Sequence, residues 1–354
     1  MSFGSDNMAP VSDRVMQAIA KANTGQARSY GNDDWTARAA EALETLFETR
    51  CSVFFVATGT AANTLALAAV TPPWGSTVCH EVSHIRTDEC GAHGLQTGGA
   101  QLLALPGEGG KLDAARLGEV LADYDFDDVH HPRPTSISIS QLTELGCRYE
   151  VNEVAAIGKT ARRHGMALHM DGARFANAVA AAGCSPAEMS WKAGVDILSF
   201  GGTKNGCLAL EAVIVFQESP IIAQTAAGDL ARRRMRAGQL LSKGRFLGAQ
   251  LLAYLENGHW LELAAHANRM AWDLAGVLTA SGKARLAWPV GGNEVFAVLS
   301  NANRDRLAGA GIAAFQWRGA PPSEPPGRDE VLLRFVCSFA TTQDEIQRVS
   351  SILA

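Results

Sequence analysis

The sequence predicts an α/β protein with a large domain on a mostly parallel sheet and a smaller α+β domain at its carboxyl side. Three observations carry this expectation. Short apolar, β-branched runs alternate with helical patterns between residues 53 and 216, as in strands joined by helical crossovers. Near residue 247 the texture changes to a long helical pattern followed by strands with helices between them, which divides the chain into residues 1–246 and 247–354. Two apolar runs, at 166–168 and Val195–Phe200, lead into Asp171 with Arg174 and into Lys204, at the sheet edge where open α/β folds place ligands.

A chain of 354 residues can bury a sizeable core for both parts. With 31 Lys and Arg against 36 Asp and Glu, the net charge of −5 gives no reason to expect nucleic acid or an anionic membrane as partner. The seven cysteines are odd in number, scattered and without a Cys-x-x-Cys pair, which argues for reduced thiols rather than disulfides or structural zinc. The amino terminus has no basic segment followed by an apolar one, and no stretch is apolar for long enough to span a bilayer, so the expected compartment is the cytoplasm.

Residues 1–33 read as a polar, glycine-punctuated arm with a short helical pattern at 11–22, of the kind that packs against another element. From Asp34 as N-cap, Trp35, Ala39, Leu43, Leu46 and Phe47 recur at three- and four-residue steps and predict an amphipathic helix. The strand Val53–Val56 then opens into Ala57-Thr58-Gly59-Thr60 and an alanine- and leucine-rich helix. Small residues before a helix N-terminus let backbone N–H groups approach an anion, and Thr60 adds a hydroxyl, so this turn is a candidate phosphate seat. It matches neither Gly-x-Gly-x-x-Gly nor the nucleotide P-loop, which argues against a dehydrogenase or a kinase.

The strand Thr77–His80 precedes a segment holding His80 and His84 four residues apart. No third ligand of the His-Glu-x-x-His kind follows, so no metal is expected, and a flat ring over a flat cofactor is the better use for His84. The strand Thr135–Ser140, a helix at 151–164, the Asp171 strand, the Lys204 strand and the strand Glu211–Phe216 continue the alternation, and a basic segment with Arg232–Arg234, Arg236, Lys243 and Arg245 follows. The second part is expected to hold one helix at 247–280, strands at Glu294–Leu299, Gly311–Trp317 and Val331–Phe339, a loop at Pro321–Pro326 and a closing helix from Thr341. Arg334, inside an apolar strand, needs an anionic partner, and a substrate carboxylate would serve.

A strand-end lysine beside a strand-end aspartate is the pair used by pyridoxal phosphate enzymes. The lysine forms the Schiff base and the aspartate keeps the pyridine nitrogen protonated. The ordered motifs Phe3–Asn7, Tyr30–Thr36, Thr58–Asn63, His84–Gly91, His169–Arg174 and Phe200–Asn205, with Arg334, resemble the L-threonine aldolases of the low-specificity and phenylserine-aldolase branch over nearly the whole chain. The resemblance implies pyridoxal-phosphate fold type I, with Lys204 as the cofactor lysine, Asp171 on the ring nitrogen, Thr58, Gly59 and Thr60 at the phosphate, and His84 against the ring. It assigns Ser5, Tyr30, Arg174 and Arg334 to the substrate, Arg174 to the cofactor as well, and Arg236 and Lys243 to a neighbouring subunit's phosphate. His130 falls where the family places a second active-site histidine, and His84 or His130 would act as the base. Thr203 and Leu142-Thr143-Glu144 depart from the serine and the Asn-Thr-His of the commoner branch.

The implied activity is retro-aldol cleavage of L-threonine, L-allo-threonine and related L-β-hydroxy-α-amino acids such as phenylserine to glycine and an aldehyde. The implied assembly is a homotetramer with sites at a dimer interface. The alternatives are a β-eliminating lyase or aminotransferase on the same fold, or a protein that binds the cofactor without turnover.

Overall fold

Seven strands, β1 (Cys51–Val56), β2 (Gly75–His80), β3 (Gln101–Leu105), β4 (Arg133–Ser140), β5 (Ala167–Gly172), β6 (Ile197–Gly201) and β7 (Glu211–Phe216), form one sheet in the order β1-β7-β6-β5-β4-β2-β3. The computed structural model describes residues 2–219, 222, 224–319 and 323–354. From β3 across to β6 every pairing is parallel, as the alternation of strands and helices requires. Strand β7 runs antiparallel to both β6 and β1, because the short link from Gly202 to Leu210 leaves no room for a helical crossover.

Both faces of the sheet are covered, and strand periodicity sorts the side chains between them. Ile197, Val213 and Val215 face the helix Gly59–Val70, while Leu198, Phe200, Ile214 and Phe216 face the larger core, where Phe47 meets Phe175, Phe200 and Phe216. That core also holds Leu247, Tyr254, Trp260 and Ala264. The change of packing therefore falls between Ala264 and Met270, inside a helix, rather than at 246/247 where the composition changes.

The second core lies under a four-stranded antiparallel sheet of β8 (Ala284–Leu286), β9 (Glu294–Ser300), β10 (Phe315–Gln316) and β11 (Glu330–Val336), ordered β10-β11-β9-β8. Helix residues Met270, Leu274 and Leu278 and the closing helix Gln343–Leu353, through Ile346 and Val349, fill it. The arm joins it too: Phe3 is 1% exposed, packs edge-on to Phe335, donates its N–H to Ala313 O and accepts from Val336 N–H.

The helix expected at 247–280 is two helices, Arg245–Leu255 and His259–Ala280, divided where Asn257 and Gly258 take left-handed φ values of 53° and 73°. Asn and Gly tolerate that conformation at little cost. The strand expected at 311–317 shrinks to Phe315–Gln316, and Ala313 bridges Ser2 of the arm instead. Of the loop expected at Pro321–Pro326, Pro321 and Pro322 lie outside the described residues.

Candidate active site

One sheet edge collects the chemistry. Val56, Glu211 and Gly201 are neighbours in register across β1, β7 and β6, and Ser140 pairs with Asp171 across β4 and β5. These strand ends and the turns beyond them enclose a cavity of 310 Å³ lined by Thr58, Gly59, Thr60, His84, Asp171, Arg174 and Lys204, with Asn63, Glu144 and Glu211 beside them.

Lys204 sits in the single turn Thr203–Asn205 after β6. Gly202 N–H bonds Leu210 O at 3.0 Å, and Asn205 donates to Tyr254 Oη at 2.7 Å and to Trp260 O at 2.8 Å, so the turn is anchored in the large core. Gly201 is required here: a Cβ would stand 2.8 Å from the Ala173 backbone. Glu211 accepts from Thr203 N–H at 3.4 Å, and burial pushes its carboxyl up to about 7 against the opposing pull of Thr203 and Lys204.

A hydrogen-bonded chain runs from His84 to Asp171. His84 Nδ1 lies 2.8 Å from Glu89 Oε1, which accepts from Asn63 Nδ2 at 2.9 Å, and the same nitrogen donates to Asp171 Oδ2 at 2.7 Å. Asp171 Oδ1 accepts from Ala173 N–H at 3.0 Å. The bond to Glu89 raises the His84 pKa, outweighing burial. Below this layer His169 is held between Ser138 and Ser199 at 2.9 and 3.0 Å, and burial lowers it to about 4, leaving a neutral imidazole under the site.

Arg174 is clamped rather than free. Its Nε and Nη2 bond Asp6 at 2.8 and 3.1 Å, and Nη2 lies 3.3 Å from Glu294. Burial opposes ionisation of Asp6, but Arg174, Lys204 and the bonds from Arg174 and Asn293 hold its carboxyl below the ordinary value. Glu294 is instead raised by burial, with Arg174 and Arg334 only partly offsetting it. Arg334 Nη2 donates to Gly4 O at 3.2 Å, its guanidinium lies over Phe315 and Trp317, and its Nε is buried with no partner among the described residues.

Thr58, Gly59, Thr60, His84, Asp171, Arg174 and Lys204 thus meet at one cavity. Ser5 caps the turn Asp6–Met8 by accepting from Asn7 N–H, and it is Asn7 that reaches the cavity wall. Tyr30 is half-exposed in a left-handed turn, and Arg236 and Lys243 are exposed, so within one chain none of the three lines the cavity. His130 also stands away from the cavity of its own chain. It precedes β4, at the end of the strand remote from Ser140, and its Nδ1 turns outward to Asp128 at 2.9 Å with the side chain 84% exposed. Asp6, Asn63, Glu89, Glu144, Glu211 and Glu294 were given no role from sequence; Asp6, Asn63 and Glu89 lie inside the ordered motifs and Glu144 in the stretch that departs from the commoner branch, whereas Glu294 carries no local signal.

These residues fit pyridoxal phosphate. The first N–H groups of the helix Gly59–Val70 lack intrahelical acceptors, a Cβ on Gly59 would meet nothing within 4 Å, and Thr58 keeps its own hydroxyl on Ala61 N–H as the cap. That leaves an open anion seat beside an amine and a tethered carboxylate.

Fold and site together define an enzyme of pyridoxal-phosphate fold type I. The chain belongs to the beta-eliminating lyase family, which matches residues 2–302, and within it to the L-threonine aldolases. It is 41% identical over 349 residues to the low specificity L-threonine aldolase of Pseudomonas sp. (strain NCIMB 10558), covering 99% of this chain and 96% of that protein. It is 42% identical over 350 residues to the low specificity L-threonine aldolase of Pseudomonas aeruginosa, covering 99% and 95%. The structure of Leishmania major threonine aldolase superposes with a TM-score of 0.89 at 29% identity, covering 99% of this chain and 98% of that one. Serine palmitoyltransferase of Sphingomonas wittichii, at 15% identity and a TM-score of 0.73, shares the fold.

Proposed function

We propose that the cavity carries the pyridoxal-phosphate-dependent cleavage of L-threonine and related L-β-hydroxy-α-amino acids, L-allo-threonine and phenylserine among them, to glycine and an aldehyde. The observation that carries this reading is the convergence of Lys204, Asp171 and the Gly59–Thr60 helix start on one cavity, in a chain that resembles low specificity L-threonine aldolases end to end. Bound there, pyridoxal phosphate supplies an electron-accepting ring for the pair released when Cα–Cβ breaks.

The remaining work falls to the chain. The Lys204 amine is the covalent anchor, and the Gly59 and Thr60 N–H groups with the Thr60 hydroxyl receive the phosphate. Asp171, fixed by Asn63 and by Ala173 N–H, is the counter-charge that holds a proton on the pyridine nitrogen. His84, fixed by Glu89, presents the imidazole face and a proton near neutrality. Arg174 fixes the substrate carboxylate, with Arg334 and Ser5 behind it; the unpartnered Arg334 Nε is a donor that a carboxylate would satisfy. Tyr30, Arg236 and Lys243, exposed in one chain, support a homotetramer in which they complete a neighbour's site. The reading places the enzyme in the cytoplasm; no helix among the described residues is long and apolar enough to cross a membrane.

The test is an assay of the purified, cofactor-loaded protein on L-threonine, L-allo-threonine and L-phenylserine. Glycine and aldehyde should form without a keto acid, and Lys204→Ala should lose both the yellow absorbance and turnover. A protein that stays colourless and inactive with added pyridoxal phosphate would overturn the proposal.

A further inference from the structure

Strand β4 ends at Ser140, and the turn beyond it is pinned from several sides. Gln141 N–H bonds Asp171 O at 2.7 Å, and the Gln141 amide exchanges bonds with Tyr149 O and N–H at 2.9 and 3.1 Å. Thr143 donates its hydroxyl to Gly109 O at 2.7 Å and its N–H to Cys147 O at 2.9 Å. The turn holds Glu144 in the cavity wall with one oxygen committed and one open. Oε1 accepts from His84 N–H and from the Ser140 hydroxyl, both at 2.7 Å, whereas Oε2 is buried with no partner among the described residues.

We propose that Glu144 is the catalytic residue that takes the proton of the substrate's β-hydroxyl during cleavage, an assignment that rests on the aldolase reading above. The step balances. The O–H bond breaks and its proton goes to Glu144 Oε2. The oxygen's electron pair forms the aldehyde carbonyl as Cα–Cβ breaks, and the pair of that bond stays with the glycine fragment. Glu144 then releases its proton to solvent water, and the glycine fragment takes up one proton at Cα from a different donor, so the count of protons is unchanged.

A buried oxygen without a donor calls for one, and a hydroxyl entering the cavity would supply it. Burial also pushes the Glu144 carboxyl up to about 7, so near neutrality it can both accept and return a proton. The groups facing it do not undo this. The Ser140 and His84 bonds pull its pKa down and the Asp171 charge pushes it up, while burial keeps Cys79 and Tyr149 neutral. Lys204, Arg174 and Glu211 share the cavity, and Glu89 stands behind His84. His84 is the poorer acceptor, because its bond to Glu89 favours the protonated ring.

Glu144→Gln keeps an acceptor for His84 N–H and Ser140 but cannot take a proton. In the pyridoxal-phosphate-loaded enzyme three readouts separate the roles: cofactor absorbance on titration, α-proton exchange of glycine in D₂O by NMR, and the pH profile of threonine cleavage. Glycine has no β-hydroxyl, so loading and exchange should stay within about threefold of the native protein, while kcat for cleavage falls roughly 10²–10⁴-fold and the limb near pH 7 disappears. Cleavage within about tenfold of native, or exchange and cleavage falling together, would overturn the assignment. Should the glutamine variant not fold, Glu144→Asp decides: glycine exchange retained with cleavage at least about tenfold slower supports the role, and unaltered cleavage overturns it. A native protein that neither takes up the cofactor nor exchanges glycine would instead remove the aldolase reading itself.

Discussion

The amino-terminal arm is held to the site by one buried charge, and Asp6→Asn measures that hold. The substitution keeps the shape but removes the anion that meets Arg174 at 2.8 and 3.1 Å and accepts from Asn293 Nδ2 at 3.0 Å. Removing one partner of a buried ion pair costs about 3–5 kcal/mol, and because Glu294 still stands 3.3 Å from Arg174 the lower figure applies, about 3 kcal/mol. At about 1.4 kcal/mol per decade, that is roughly a hundredfold more frequent opening of the arm. Hydrogen exchange reads it directly at the Phe3, Ser12 and Val336 amides, which bond Ala313 O, Gly206 O and Phe3 O, with the Val213 and Ile214 amides of β7 as unaffected controls. The pH dependence has a definite sign. The Asp6 carboxyl lies below its ordinary value when folded, so its contribution is complete above the unfolded carboxylate value near about 4 and is lost as pH falls through the folded one. Native arm opening, corrected for intrinsic exchange, should therefore increase only in acid, and the variant should lack that rise. Arm amides exchanging at native rates in Asp6→Asn at pH 7 would refute the reasoning.

Glu89→Gln should lower the His84 pKa, seen by NMR of the ring. A raised histidine stabilises below its unfolded value and loses that contribution as pH rises through the folded one, so this variant should lose more stability at about pH 5 than at about pH 8. Arg334→Lys keeps the charge but not the planar fork, so it should retain the cofactor's colour while losing about two powers of ten in kcat/KM, roughly 3 kcal/mol. Early melting with native kcat/KM would make Arg334 a structural partner of Gly4 and Glu294. Light scattering at assay concentration should give a tetramer, and an active monomer would remove the shared-site arrangement.

Much of the fold was legible because local pattern and global packing agree. The β7 limits match the expected Glu211–Phe216, and the helix Asp34–Phe47 differs from its expectation only in its cap, Asp33, whose side chain accepts from Thr36 N–H. What the pattern hid has specific causes. Strand β3 lies at the sheet edge with partly exposed side chains, and its short run Leu102-Leu103-Ala104-Leu105 lacks the β-branched residues that mark a strand. The helix Asn301–Gly309 buries only Leu307, so it has almost no apolar stripe to find. The reversal of β7 depends on the length of its connection, which periodicity does not record.

The site divides along the same line. Residues that act from a strand end or helix start (Gly59, Asp171, Lys204) could be found because the surrounding pattern fixes where they stand. Those that act through long-range partners could not: Asp6 reaches Arg174 across 168 positions of chain and Asn293 across 287. His130 poses a different problem, because it precedes β4 at the end remote from Ser140 and so stands apart from the cavity of its own chain. Strand β4 spans eight residues, about 26 Å at 3.3 Å each, so a group preceding Arg133 cannot share an edge with Ser140. The turn after Ser140 can, and Glu144 occupies it in the cavity wall with one carboxylate oxygen buried and unpartnered among the described residues. Distance along a strand, which sequence supplies once the direction is known, therefore separates the two candidate proton carriers within one chain. The proposed Glu144 belongs to the cavity wall of its own subunit, and the exposed His130 has a part only in a site that a neighbouring subunit completes, which the light-scattering test of the tetramer addresses.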